Sequence, residues 1–266
     1  MSTLGSHTCV TRTDNTLWCW GSNSNGQLGD GTTDNRTTPQ RTAAAVWAIG
    51  SAGVAQTCAV KTDGTLWCWG NNFYSQLGDG TRQDRYSPTQ VEGAEWTSVS
   101  TGGYHTCGIK TDRTIWCWGH NYHGEIGDGT TDNRTTPVQS GGSSWSCVAA
   151  GNNHTCAIDG SNLLWCWGYN QFGQVGDGTS TAKSYPTRVT DNTWSQVAPG
   201  YSHTCGITSD NALWCWGNNQ DGQLGDGTTN STTVPVQVPG NQWARVSSGA
   251  FHTCALKTDH TLWCWG

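Results

Sequence analysis

Apolar and polar positions follow the same pattern six times along the chain. The clearest copy spans residues 56–70, QTCAVKTDGTLWCWG, where two short runs rich in β-formers flank Thr62-Asp63-Gly64. Such runs on either side of a turn signal predict a β-hairpin. If Lys61 and Thr65 close a three-residue loop with Gly64 in the left-handed position, then Val60 pairs with Leu66, Ala59 with Trp67, and Cys58 with Cys68. Cys58, Val60, Leu66 and Cys68 then share one face, and Ala59, Trp67 and Trp69 the other. Both faces are apolar, so the sheet is expected to be covered on both sides. Opposite the first Trp stands a small residue (Ala59, Gly108, Ala157, Gly206 or Ala255, with Val10 the exception). A large indole over a small partner is a packing rule, so the tryptophans are expected in the core between repeats rather than in a ligand box.

The other copies occupy residues 7–21, 105–119, 154–168, 203–217 and 252–266, and their first cysteines follow one another every 49 residues without insertion or deletion. A fixed period of this length marks a repeat architecture. Between hairpins each repeat runs through a Gly-Asp-Gly-Thr loop to a short extended piece carrying Pro39, Pro88, Pro137, Pro186 or Pro235. Proline suits an edge strand because it cannot donate to a ladder. A run led by Trp47, Trp96, Trp145, Trp194 or Trp243 then alternates toward a glycine and reads as a further strand. Four short strands per period, with no helical periodicity, predict an all-β fold: a β-propeller of four-stranded antiparallel blades, with residues 1–266 as a single domain. The first blade lacks a full Trp-led strand, because residues 1–5 are too short to supply one, and the last stops at Gly266 before its Pro-marked strand. Unpaired edges at both ends imply closure on each other, pairing with copies of the chain, or a sequence that is part of a longer protein.

The hairpin register has a covalent consequence. It places the two cysteines on a non-hydrogen-bonded site, where Cα atoms approach to about 4.5 Å, within the span a disulfide accepts. The predicted bridges are Cys9–Cys19, Cys58–Cys68, Cys107–Cys117, Cys156–Cys166, Cys205–Cys215 and Cys254–Cys264. They use all the cysteines but one of 13, leaving Cys147 as an expected free, buried thiol. Each short loop closed in this way contributes roughly 2–3 kcal/mol. Paired cysteines on this scale imply an oxidising compartment, hence an extracellular or cell-surface location, although residues 1–6 carry no signal-peptide pattern. Charged residues are only 12% and the net charge is −6, with no basic run. That excludes the positive footprint nucleic-acid binding requires. No apolar run reaches the length of a membrane span.

The pattern GxxHTCALxxDGxLWCWGxNxxGQLGDGT, with its downstream Pro and Trp, resembles the regulator of chromosome condensation repeat family over essentially the whole chain. The resemblance implies a propeller, usually of seven blades, against six hairpins here. Members of that family serve as nucleotide exchange factors on a small GTPase, as chromatin binders, as a plant ultraviolet photoreceptor, and as parts of bacterial surface or secreted proteins. The Cys pair in each hairpin is most similar to the bacterial extracellular members.

His7, His105, His154, His203 and His252 precede the first Cys of their repeats, and Gln56 breaks the series. Each is expected to hydrogen-bond within its own blade rather than gather round a metal, since Gln is a poor zinc ligand. Asp30, Asp79, Asp128, Asp177 and Asp226 occupy equivalent loop positions and are the positions a calcium ion would use. Calcium needs six or more oxygens, and an Asx turn accounts for the Asp without one. No nucleophile elbow, phosphate loop or His-Glu-x-x-His motif occurs, so no enzyme activity, cofactor or metal is expected. The loops before His-Thr-Cys and after Trp-Gly vary most between repeats, and they lie at the same end of an up-down blade. They gather Phe73, Tyr74, Tyr104, His120, Tyr122, His123, Tyr169, Phe172, Tyr201 and Phe251. Aromatic residues on loops of a stiff scaffold predict a recognition face for a protein or a glycan. Two other functions stay open: a structural subunit joined to its own copies through the end blades, and an intracellular exchange-factor-like or chromatin-binding propeller.

Overall fold

The computed structural model describes residues 5–142 and 144–266; the expectations placed on residues 1–4 lie outside them. Among the described residues the regular structure is entirely β, so no helix is long and apolar enough to cross a membrane. The second blade shows the unit. Strands Trp47–Ala52, Gln56–Lys61, Leu66–Gly70 and Arg85–Gln90 pair antiparallel in that order. The hairpin register is the one predicted, with Val60 opposite Leu66, Ala59 opposite Trp67 and Cys58 opposite Cys68. The turn residue takes a left-handed φ in all six copies: 79° at Gly64, 59° at Asn15, 62° at Arg113 and Asn162, 65° at Asn211 and 69° at His260. All six disulfides form, with Cα atoms 4.1–4.2 Å apart.

The Trp-led strands of successive blades line a common central cavity of about 420 Å³ with small residues such as Ser51, Ser100, Ala149 and Ala198, and are therefore innermost. The Pro-marked strand is outermost, as its missing N–H requires. Among the described residues the first blade has three strands and the last has three. One departure from the repeat joins the fourth and fifth blades. Lys183–Pro199 runs as one continuous strand, pairing Arg188 with Trp165 and then Trp194 with Thr208. The connecting residues Val189 to Thr193 contain no glycine and three β-branched side chains, a composition that favours extended backbone.

The core lies between blades. The Cys and Leu face of one blade packs on the Trp face of the next. At one seam Cys58, Leu66, Cys68 and Leu77 meet Trp96 and Trp118; at another Cys107, Ile115 and Cys117 meet Trp145 and Trp167. The second Trp is fully buried in the second to fifth blades, as expected (Trp69, Trp118, Trp167 and Trp216), while Trp20 and Trp265 of the end blades are half-buried. The first is not: Trp18, Trp67, Trp116, Trp165 and Trp214 are half-buried, and Trp263 is exposed. They sit at the hairpin's turn end, where Trp67 Nε1 donates to Thr65 Oγ1 at 2.9 Å. Cys147 is free but half-buried rather than enclosed, at the edge of the seam between blades four and five, where burial pushes its thiol pKa up.

A buried polar relay crosses each seam. The Gln27 carbonyl accepts the Thr57 hydroxyl at 2.7 Å and the Trp69 indole N–H at 3.0 Å, both from the next blade. Thr57 donates its only hydroxyl proton there, so its oxygen accepts from His7 Nε2 at 2.8 Å. The His7 proton is thereby fixed on Nε2, and Nδ1 is left as a buried lone pair without a partner. His105–Thr155, His154–Thr204 and His203–Thr253 repeat the contact at 2.8–2.9 Å. The expectation of a bond within the blade is corrected: each of these histidines bonds across the seam, because the Thr oxygen of the neighbouring face is the acceptor presented there. Gln56 also reaches the next repeat, donating to the Gly102 carbonyl at 3.0 Å.

Burial lowers the pKa of His7, His105 and His203 to about 4 and that of His154 to about 3. An unfolded imidazole titrates near 6.5, so on acidification the unfolded chain takes up protons first. The contribution of these residues is complete above pH about 6.5 and is lost progressively as pH falls toward 4. Urea midpoints measured across that window are expected to fall, and His154→Gln, which copies Gln56, is expected to flatten the fall.

Candidate recognition face

Side-chain bonds, rather than sheet, shape the loop after each Trp-Gly. In the second blade the buried Asn72 accepts the Leu77 N–H at 3.0 Å and donates to Asp79 Oδ1 at 3.1 Å and the Thr81 carbonyl at 3.2 Å. Asp79 Oδ1 accepts the Thr81 N–H and hydroxyl as an Asx turn, while Oδ2 takes both arms of the Arg85 guanidinium at 2.7 Å. Burial pushes the Asp79 carboxyl up, but the Thr81 and Arg85 bonds outweigh it and hold its pKa below the usual value. Asp30, Asp128 and Asp177 are engaged in the same way by Arg36, Arg134 and Lys183. At these positions of the calcium series a basic side chain already holds the carboxylate. Asp226 bonds Thr228 and Asn219 instead.

The next support is an amide pair. Gln76 Oε1 accepts the Tyr74 N–H at 2.9 Å, and Gln76 Nε2 donates to Asn71 Oδ1 at 2.7 Å. In the third blade this pair becomes His120 and Glu125. Glu125 is fully buried; its Oε1 lies 2.8 Å from His120 Nδ1, and its Oε2 accepts the His123 N–H at 2.9 Å. Burial pushes the Glu125 carboxyl up, yet the His120 bond and the fields of His105 and His120 prevail, leaving its pKa lowered. The sequence reading included His120 but missed Glu125. The signal was an acid at a position occupied by Gln in the four other loops.

Aromatic rings cover these supports. Tyr74 stacks edge-on with Phe73, Tyr104 and His120 at 4.9, 5.3 and 4.8 Å. His120 meets Tyr122 at 4.5 Å, His123 meets Tyr169 at 4.7 Å, and Tyr169 meets Phe172 at 6.4 Å. His120 also lies 6.2 Å from His123, so that Phe73, Tyr74, Tyr104, Tyr122, His123, Tyr169 and Phe172 form one ladder over three blades, joined through His120. Tyr201 and Phe251, 6.0 Å apart, form a separate pair on the fifth and sixth. Phe73, Tyr122, Tyr201 and Phe251 are exposed, whereas His120 is buried beneath the ladder.

A family model described as RCC1-like domain matches residues 5–266. The chain belongs to the RCC1-like domain family. This RCC1-like chain is similar in fold to human WBSCR16, at 21% identity and a TM-score of 0.84 over 95% of this chain and 70% of that one. It is similar to Prp20p of Saccharomyces cerevisiae, at 20% identity and a TM-score of 0.88 over 100% and 70%. The ectodomain of the Physcomitrella patens receptor kinase CR4 matches at 21% identity and a TM-score of 0.66 over 100% and 62%. No curated protein sequence matches the chain. At these identities the likeness concerns the fold. Within the RCC1-like frame the His120–Glu125 pair is a departure that the repeat does not require.

Removing His120 strands the buried Glu125 carboxylate without that partner. His120→Ala is expected to cost about 3–5 kcal/mol in chemical unfolding. The double variant His120→Asn/Glu125→Gln, which restores the amide pair of the second blade, is expected to recover most of that loss.

Proposed function

We propose that this RCC1-like chain is a non-enzymatic, disulfide-stapled binding scaffold that works outside the cytoplasm and captures a protein or a glycan on the aromatic ladder. The observation that carries this reading is the continuity of rings from Phe73 to Phe172 over loops locked by buried Asn, Asp and Gln or Glu side chains. Rings of this kind supply contact area at low entropic cost, and a preformed loop has little left to order on binding. Six disulfides support an oxidising setting, and the similarity to a receptor ectodomain is consistent with it. Yeast RCC1 (Prp20) is solved bound to Kap60, and Prp20p is described with binding properties to Gsp1p and histones. Those partners belong to that protein, but they support protein recognition as a use of the fold. The disulfides argue against an intracellular exchange or chromatin role here.

A second reading has copies of the chain joining through their end blades. It is favoured by the last hairpin, where Leu262 is 68% and Trp263 52% exposed, although Leu66 at the equivalent position is fully covered by the next blade.

Two measurements separate these readings. A ligand taken from a glycan array or from extracellular protein fractions is expected to bind Tyr122→Ala roughly thirtyfold more weakly, the factor a 2 kcal/mol hot spot represents, and Tyr201→Ala less so. Unchanged binding by Tyr122→Ala removes the ladder from the site. Light scattering is expected to show concentration-dependent assembly, abolished by Leu262→Lys, only if the end blades join copies.

A further inference from the structure

A second site is marked by two substitutions that meet in one repeat. In the second, third and sixth blades the Cys-led strand ends in a lysine whose ammonium sits against two indoles of its own blade. Lys61 Nζ lies 5.6 Å from the Trp47 ring centre and 3.6 Å from that of Trp67. Lys110 is 5.0 and 4.3 Å from Trp96 and Trp116, and Lys257 is 5.0 and 4.9 Å from Trp243 and Trp263. All fall within the reach of a cation–π interaction, about 6 Å. The fourth blade keeps both indoles, Trp145 and Trp165, but places Asp159 where the lysine belongs. No cation of the chain occupies those indoles among the described residues, and they meet edge to face at 6.4 Å.

A cavity of about 270 Å³ opens there, lined by Trp145, Trp165, Asp159, Tyr185, Pro186 and Gly142. Tyr185 is the second substitution: Thr38, Ser87, Thr136 and Val234 precede the marker proline in the other repeats. Gly142 keeps the cavity open, since a Cβ at that residue would lie 2.7 Å from Trp145 Cζ2. Asp159 is held rigidly. Its Oδ1 accepts the N–H groups of Ser161 and Leu163 at 2.8 and 3.0 Å, and its Oδ2 accepts the Trp165 indole N–H at 3.0 Å. These bonds outweigh burial and keep the carboxyl below its usual pKa, with the Arg188 charge adding to them. Arg188 itself is bonded to Asp191 at 3.0 Å.

We propose that this cavity binds an alkylammonium cation from outside the chain, with the aromatic rings facing the charge and Asp159 neutralising it. Three sister blades show the same indole pair holding a cation of their own; the fifth has the neutral Thr208 there, and only the fourth replaces the cation by its counter-ion. The volume falls just under the roughly 300–1,000 Å³ of drug-sized sites, so it suits a headgroup rather than a whole ligand. A quaternary ammonium and a partner's lysine side chain share this chemistry. The cavity stands at the turn end of the strand His154–Asp159, opposite the end that carries His154 and the recognition face.

The test is calorimetric titration of the whole chain, at constant ionic strength, with tetramethylammonium, with n-butylammonium as the lysine mimic, and with choline beside its uncharged isostere 3,3-dimethyl-1-butanol. Saturable binding of at least one cation is expected, with the neutral isostere at least about tenfold weaker than choline. The preferred cation identifies the source. Asp159→Asn is expected to weaken binding about tenfold. Asp159→Lys, which rebuilds the second-blade arrangement, is expected to abolish binding while near-ultraviolet circular dichroism stays native. Tyr122→Ala is expected to leave cation binding unchanged, so failure of the recognition face is separable from failure here. No saturable heat with any cation, equal binding of choline and its isostere, or undiminished binding by both Asp159 variants would overturn the proposal.

Discussion

One backbone carbonyl per blade holds the next blade in place. The carbonyls of Gln27, Gln76, Glu125, Gln174 and Gln223 each accept a threonine hydroxyl and a tryptophan N–H from the following repeat. These groups lie in the seams, away from water except at the half-buried Trp265. A buried donor or acceptor left unmet costs about 1–3 kcal/mol, so a blade that slid or tilted would strand three groups at once. This requirement explains why Thr and the second Trp keep their places. It also explains a glycine beside each carbonyl: a Cβ on Gly78 would lie 2.6 Å from Trp118 Nε1.

The apolar seam and the disulfides act on the same two strands. Each bridge ties the central pair of a blade, and the bridged sulfurs belong to the face that the next blade's indoles cover. Individual seams are small, and the chain carries few charges with which to compensate. Covalent ties restrict the unfolded chain and keep the faces presented to the seam in register. The frame that results is stiff enough for its loops to differ without disturbing the blades.

Function is read most clearly where the repeat is broken. A residue that recurs in every blade is explained by the scaffold. His120 with Glu125, and Asp159 with Tyr185, are not: each replaces a neutral or oppositely charged partner that serves well in the sister blades. The first pair places a buried carboxyl and an imidazole beneath the longest run of rings. The second removes a cation from between two indoles and adds a third ring.

Much of this was legible in the chain. The hairpin register, the left-handed turn, the disulfide pairs, the edge position of the prolines and the gathering of aromatics at one end follow from period-two alternation and turn chemistry, which are local. Local pattern did not reveal that His7 bonds Thr57 of the next blade, that Trp67 lies at the rim while Trp69 is enclosed, that Cys147 is only half-covered, or that Lys183–Pro199 would bridge two blades. Alternation assigns a side chain to a face. What that face meets depends on the angle and spacing between blades, which are set by the packing of whole sheets. The sequence by itself determined the ribbon, its covalent clasp and the two substitutions that break the repeat; the seam partners were decided by how one blade lies against the next.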